Sequence, residues 1–330
     1  MLRTALCDLL GVDVPVIGAP YGPFEQVELA AALCGAGALG SLGTAVRPLP
    51  DLRRQWARMR ELTDRPFAVN HTLRPLNEEA FRATIEERPA AISFHLGVPA
   101  DLVARAHDAG ILWIQQVMDV EQAEEAVRAG ADVIVAQGGE AGGNGGEVAT
   151  MVLVPQVVDI AGDIPVVAAG GIADGRGLAA ALALGAQGVV LGTRLLASVE
   201  MGIAEEWKQR IVAAGATDTV KLRHGDRVLP PYSRPGRHPG RPRTLRTPFL
   251  DELEAHPERV DPAEAGPRLV EAVLSGRGHE FLPFTGQSAA LVHDVLPAAE
   301  IVRGIVADAE RVLRGITDAT GPPRPAGTPQ

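Results

Sequence analysis

The chain has 330 residues, 46% hydrophobic and 22% charged, with a formal net charge of −10; its mean hydropathy is +0.08 and its pI about 5.3. That is the balance of a compact protein with a sizeable core, and the acidity argues against nucleic acid or an anionic membrane as the main partner. Cys7 and Cys34 form no CxxC pair and have no histidine at zinc-ligand spacing, and no apolar run resembles a signal or reaches membrane-span length, so buried reduced thiols, no metal and a cytoplasmic location are expected.

Short apolar runs alternate with helical stretches. Val14–Pro20 reads as a first buried strand, Gln26–Cys34 as a helix stopped by Gly35, and Ala38–Leu42 as a weaker second strand. After Pro48, Leu52, Trp56 and Met59 share one helix face. Pro66–Asn70 is a third strand, followed by a helix over Asn77–Arg88 with Asn77 as its N-cap. Ala91–His95 and Leu112–Val117 are strands four and five, with a helix over Asp101–Ala109 between them. Asp119 caps a helix that runs to Ala129 and stops at Gly130; Asp132–Ala136 is the sixth strand. A helix over Val154–Ala161, a strand at Pro165–Ala169, a helix from Gly175 to Leu184 and a strand at Gly188–Leu191 complete the series.

Eight strand–helix units predict a parallel sheet with helices outside. Eight is the number that closes a (β/α)8 TIM barrel, with an open doubly wound sheet as the alternative. Beyond Thr193 the pattern degrades. Glu200–Ala214 is helical by spacing, 224–248 is dense in Pro, Gly and Arg, and a short helix follows near Phe249–Ala255. Ser288–Leu313 reads as a helix interrupted around Pro297. The expected organisation is a barrel with C-terminal helices from 1–219 and 281–315, a covering or lid segment over 220–280, and a disordered tail at 316–330.

The densest feature is Ala136-Gln-Gly-Gly-Glu-Ala-Gly-Gly-Asn-Gly-Gly146, in which six of eleven residues are glycine. Such a stretch gives up backbone entropy, and the usual reason is that the chain must take positive φ angles or lie flat on a ligand. Barrel ligands bind at the C-terminal ends of the strands. Those ends carry Ala19 and Tyr21, Asn70 and His71, His95, Gln116, Gln137, Gly170-Gly171 and Gly192-Thr193. The turns after strands seven and eight are a common phosphate site in barrels. A phosphate seat beside the amide side chains of Asn70, Gln116 and Gln137 points to a heterocyclic cofactor, and flavin mononucleotide (FMN) fits. A tight turn alone is the competing explanation for Gly170-Gly171. Glu140 either braces the glycine loop or faces substrate, Tyr21 either packs or covers the ring, and the arginines of 234–246 form a solvated cover or an anion-binding lid.

Ala168–Arg194, with its Ala-Gly-Gly-Ile-Ala-Asp and Leu-Gly-Thr-Arg blocks, resembles the nitronate monooxygenase (2-nitropropane dioxygenase) family. Ala136–Gly143, Pro66–Asn70 and Gly286-Gln-Ser-Ala289 carry the same resemblance, which covers roughly residues 10–315. FMN-type enoyl-acyl carrier protein reductases share these blocks. The resemblance implies an FMN-binding (β/α)8 barrel oxidoreductase with contacts at Ala19, Asn70, Gln137 and Gly142. It puts the phosphate on Gly170, Gly171, Gly192 and Thr193, and Gln287 near the cofactor. It departs at one place: the family loop reads Glu-Ala-Gly-Gly-His, and this chain has Asn144 where the histidine is expected to handle the proton. An amide cannot exchange protons near neutral pH, so His71, His95 and Glu140 are the candidate replacements. The implied reaction is oxidation of a nitronate or similar carbanion by O2. The alternatives are an NAD(P)H-dependent enoyl or quinone reductase, a specialised biosynthetic flavoenzyme lacking the base, or a binding protein that has lost catalysis. A small-molecule substrate and O2 are the expected partners, with a homodimer left open.

Overall fold

A computed structural model describes residues 2–72, 76–229 and 241–320. Its centre is eight parallel strands: β1 (Val16–Gly18), β2 (Gly40–Gly43), β3 (Phe67–Thr72), β4 (Ala91–His95), β5 (Leu112–Val117), β6 (Val133–Gln137), β7 (Val166–Ala169) and β8 (Gly188–Leu191). They pair in the order β1-β8-β7-β6-β5-β4-β3-β2. The last seam, between β1 and β2, is closed by the Ile17–Leu39 bridge, with Gly18 N–H on Leu39 O at 2.9 Å and Leu39 N–H on Val16 O at 3.0 Å. The sheet is a (β/α)8 barrel.

Helices follow the strands: α1 (Ala5–Leu10), α2 (Val27–Gly35), α3 (Leu49–Leu62), α4 (Glu78–Glu87), α5 (Ala100–Asp108), α6 (Val120–Ala129), α7 (Thr150–Ala161), α8 (Gly175–Ala183), α9 (Thr193–Leu196) and α10 (Glu205–Ala213). The two N-caps read from the sequence form: Ala80 N–H reaches Asn77 Oδ1 at 3.0 Å, and Gln122 N–H reaches Asp119 Oδ1 at 2.8 Å. Helix α7 begins at Thr150, ahead of the expected Val154, because its cap is a distant side chain described below.

Residue alternation sorts the strands into two layers. Ile17, Ala68, Ala91, Ile114, Val133, Val135, Val167 and Ala169 fill the lumen. Ile92, Phe94, Trp113, Ile134, Ala136, Val166, Ala168, Val189 and Leu191 pack outward against the helices. Helix α1, not evident from the sequence, plugs the N-terminal end. Six residues do not make a stable helix in water. Leu6 and Leu10 join the lumen cluster, each worth about 1.5–3 kcal/mol when buried. Thr4 Oγ1 also donates to Gln187 O, just ahead of β8. That leaves the C-terminal ends of the strands as the open mouth.

Strands β9 (Thr219–Lys221) and β10 (Arg243–Leu245) make an antiparallel pair. With α11 (Pro248–Ala255) and α12 (Pro262–Leu274) they enclose a small core of Leu222, Val228, Leu250, Leu253, Leu269 and Leu282. Helix α12 escaped the sequence reading, since its prolines at 262 and 267 look like breakers; Pro262 sits in the first turn, where no N–H partner is lost. Residues 230–240 of the arginine-rich stretch, and the tail beyond 320, lie outside the described residues. The expected break near Pro297 is real. A 3-10 turn at Gln287–Leu291 precedes α13 (Ala298–Thr320), which runs past Leu313 and packs on α8. No helix among the described residues is long and apolar enough to cross a membrane.

Candidate active site

The mouth is assembled around the glycine loop that leaves β6. Gly138 N–H bonds Ala169 O at 2.8 Å, and Gly139 N–H bonds Val148 O at 2.7 Å. The Glu140 carboxylate turns back to cap α7, accepting Thr150 N–H at 2.9 and 3.1 Å and the Thr150 hydroxyl at 2.9 Å. The main chain at Glu140 is bound as well, by Gln287 N–H on its carbonyl at 2.9 Å. Gly286 N–H, next to it, bonds Thr193 Oγ1 at 2.8 Å.

The covering hairpin grips the same loop. Gly143 and Arg243 exchange two main-chain hydrogen bonds of 3.0 Å. The Arg243 guanidinium donates to Gly139 O at 3.1 and 3.2 Å and to Thr219 O at 3.0 Å. Lys221 donates to Gly146 O and pairs with Glu147 at 3.2 Å, which Arg241 also reaches at 3.2 Å. The loop is therefore fixed by its own chain from three sides. Neither Thr150 nor Arg243 is signalled locally in the sequence, since each lies ten or more residues from what it holds.

Alternation places Asn70, Ser93 and His95 on the lumen side of β3 and β4. Asn70 Nδ2 donates to Ser93 Oγ at 2.9 Å and to Ser93 O at 3.2 Å. Across the mouth Gln116 Nε2 donates to Gln137 Oε1. Tyr21 donates its hydroxyl to Gly192 O at 2.8 Å, and its own N–H is held by Gln26 Oε1 at 2.9 Å. Burial raises the Tyr21 phenol far above its ordinary pKa.

The turn glycines have two different reasons to be glycine. Gly170 and Gly171 have φ of 103° and 74°, in the left-handed region that side chains avoid. A methyl group built on Gly192 would meet only Ala19 Cβ, at 3.8 Å, and one on Gly143 would meet nothing within 4 Å. Asn144 sits at the tip with its Oδ1 buried and without a hydrogen-bond partner.

His71 lies elsewhere. One residue beyond Asn70, it points outward into the layer between β3 and α4. Its Nε2 meets Thr84 Oγ1 at 2.9 Å and its Nδ1 meets Thr44 Oγ1 at 3.3 Å. The Thr84 hydroxyl donates to Ala80 O at 2.9 Å and the Thr44 hydroxyl to Asn70 O at 2.8 Å. The ring packs on Phe81 and Phe94. The structure does not bring His71 to the mouth; strand alternation, applied to the Asn70-His71 pair, would have separated the two.

Burial lowers the His71 pKa to about 3 and that of His95 to about 4. On unfolding, both imidazoles take up protons near pH 6.5, so the unfolded chain binds more protons and stability falls as pH drops below about 6.5. His71 supplies a slope of up to about 1.4 kcal/mol per pH unit between roughly 6 and 4. Denaturant midpoints of His71→Gln should be lower at neutral pH but less steeply pH-dependent by that amount; an unchanged slope would show that His71 is not held neutral.

The fold is a parallel barrel, and the open strand ends are where such barrels bind their ligands. A family model described as nitronate monooxygenase matches residues 3–87 and 77–308. The chain belongs to the nitronate monooxygenase family and is an oxidoreductase of the flavin type. It is 35% identical, over 93% of this chain and 96% of the relative, to a Rhodococcus jostii RHA1 protein named (3aS,4S,5R,7aS)-5-hydroxy-7a-methyl-1-oxo-octahydro-1H-indene-4-carboxyl-CoA dehydrogenase. It is 33% identical to the nitronate monooxygenase of Paraburkholderia phytofirmans, over 94% and 95% of the two chains. Among solved structures it superimposes on FabK from Thermotoga maritima with a TM-score of 0.86 and 36% identity, covering 96% of this chain and 99% of that one. The nitroalkane oxidase of Streptomyces ansochromogenes follows at 0.80 and 27%, covering 95% and 100%.

Proposed function

We propose that the protein binds FMN across the strand ends and oxidises an already anionic carbon acid, a nitronate or similar carbanion, with O2. The single observation that carries this reading is the absence, among the described mouth residues, of a side chain placed to take a carbon-bound proton near neutral pH. Asn144 is a carboxamide, the Glu140 carboxylate is engaged by Thr150, His71 faces away, and burial lowers the His95 pKa to about 4, which leaves it a weak base that would line the substrate space as a neutral imidazole. A substrate that arrives as an anion has no need of that step.

The donor set supports FMN. Gly170, Gly171, Gly192 and Thr193 offer a glycine-built seat for one phosphate. Asn70, Gln116 and Gln137 offer amides for a ring that needs both donors and acceptors, with Ala19 and Gly142 lining it. Bound there, FMN would supply the two-electron acceptor chemistry. The Asn144 amide N–H would donate to the substrate's oxygens, its own buried oxygen being an acceptor without a protein partner, and Glu140 and Gln287 keep the loop beside it.

A second reading, NAD(P)H-dependent reduction of an enoyl thioester or quinone, draws support from the 35% match to a carboxyl-CoA dehydrogenase. Lys221 and Arg241 over the loop would suit the phosphates of such a substrate. The FMN-loaded protein mixed anaerobically with NADPH distinguishes the two. The nitronate reading expects the flavin absorbance to persist with NADPH and to turn over with ethylnitronate in air; rapid bleaching by NADPH would reverse the choice, and a protein that takes up no flavin would exclude both.

A further inference from the structure

We infer that Gln115 is a positioning residue, setting the His95 imidazole at the barrel mouth by clamping the turn that ends β4. Gln115 is fully buried and faces the helix layer, one alternation away from the lumen-side Gln116. It therefore touches nothing in the mouth. Its amide orientation is fixed, because Trp113 Nε1–H can only donate and does so to Gln115 Oε1 at 3.1 Å. That leaves Nε2 to donate to Phe94 O at 3.2 Å, Gly97 O at 3.0 Å and Gln116 O at 3.0 Å.

Phe94 and Gly97 bracket His95 and Leu96. Leu96 has φ of 64°, a left-handed conformation that a leucine adopts at a cost, and Gly97 follows at 135°. Such a turn persists only where its surroundings over-determine it, and one side-chain nitrogen here holds the carbonyls on both sides. The chain turns immediately after His95, so the ring stops at the mouth on the face shared with Ser93 and Asn70. His95 is the one imidazole on the lumen side of the eight strands, in a protein whose glycine loop carries Asn144. The kinetic arm of the test below rests on the proposed oxidase activity; the spectroscopic arm does not.

The experiment compares Gln115→Met, His95→Gln and the double variant in the full-length protein. In the apoprotein, the His95 ring signal in a ¹H–¹⁵N imidazole spectrum is identified by its loss in H95Q. It should shift or broaden in Q115M while the His107 signal stays. With FMN and ethylnitronate, Q115M should lower kcat about tenfold or more, and add nothing further in the H95Q background. An unchanged His95 signal, or an equal loss of turnover in both backgrounds, overturns the inference, since general weakening of the core would act regardless of His95. Wild-type protein inactive on ethylnitronate would refute the proposed activity and leave the ring signal to decide. Should Q115M fail to fold, Leu96→Gly relaxes the same turn without touching Gln115, and an unmoved His95 signal there is equally fatal.

Discussion

Asn144→His is expected to raise turnover of neutral nitroalkanes by roughly 100-fold, within the 10²–10⁴ that a positioned general base contributes, while nitronate turnover changes little because an imidazole N–H can stand in for the amide N–H toward substrate. The position is favourable for such a graft. Gly143, immediately before it, is pinned through both its N–H and its carbonyl by Arg243, so the new imidazole would emerge from the same backbone. The backbone on either side is uncrowded, since a methyl group at Gly143 meets nothing within 4 Å and one at Gly145 only carbonyl oxygens at 3.8 Å and beyond. The gain should follow a pH profile rising through the imidazole pKa, near 6.5 if its surroundings leave it unshifted. Nitroethane turnover that stays at the wild-type level, with FMN still bound, would place proton transfer away from residue 144.

Gly142→Ala should abolish cofactor retention, with a loss of at least about 100-fold in FMN affinity, or about 2.7 kcal/mol. The added methyl would lie 2.6 Å from Gly286 N and 2.7 Å from Thr285 C. Both are backbone atoms, so no flexible side chain can move aside. Either the loop or the 285–287 segment must shift, and with it go the Gln287–Glu140 and Gly286–Thr193 hydrogen bonds that join the loop to the strand-eight turn. Overpacking of this kind costs about 1–3 kcal/mol in stability, which a domain of this size survives. Titration of FMN fluorescence onto folded apoprotein is the check, and near-wild-type affinity would mean that the loop does not line the cofactor.

The eight-strand frame was legible because short apolar runs, glycine stops and the Asn77 and Asp119 caps are local signals. The glycine loop and the Gly170-Gly171 and Gly192-Thr193 turns were legible for the same reason. What was not legible depends on distance in the sequence. The early start of α7 needs Glu140 to cap Thr150, and the loop's rigidity needs Arg243. Helix α1 is stable only through the barrel floor that it closes. The prolines of α12 read as breakers until their place in the helix is known. His71 was misjudged for a different reason, since it is adjacent to Asn70 in sequence but on the opposite face of the strand. Gln115 was passed over beside Gln116 because its partners, the Trp113 indole and the carbonyls of Phe94, Gly97 and Gln116, are not marked by any local sequence signal.

The bond pair between Gly143 and Arg243 uses main-chain atoms on both sides. A seam of that kind is indifferent to which side chains line the roof and sensitive only to register. With Arg243 and Lys221 kept for their side-chain hydrogen bonds to the loop, substitutions in the helices behind β9 and β10 can therefore accumulate without disturbing it, whereas a one-residue insertion in β10 would shift the pairing. The floor and the roof of this pocket are separable in inheritance: one roof can be exchanged for another, and the chemistry redirected to a new substrate, while the seat beneath keeps its shape.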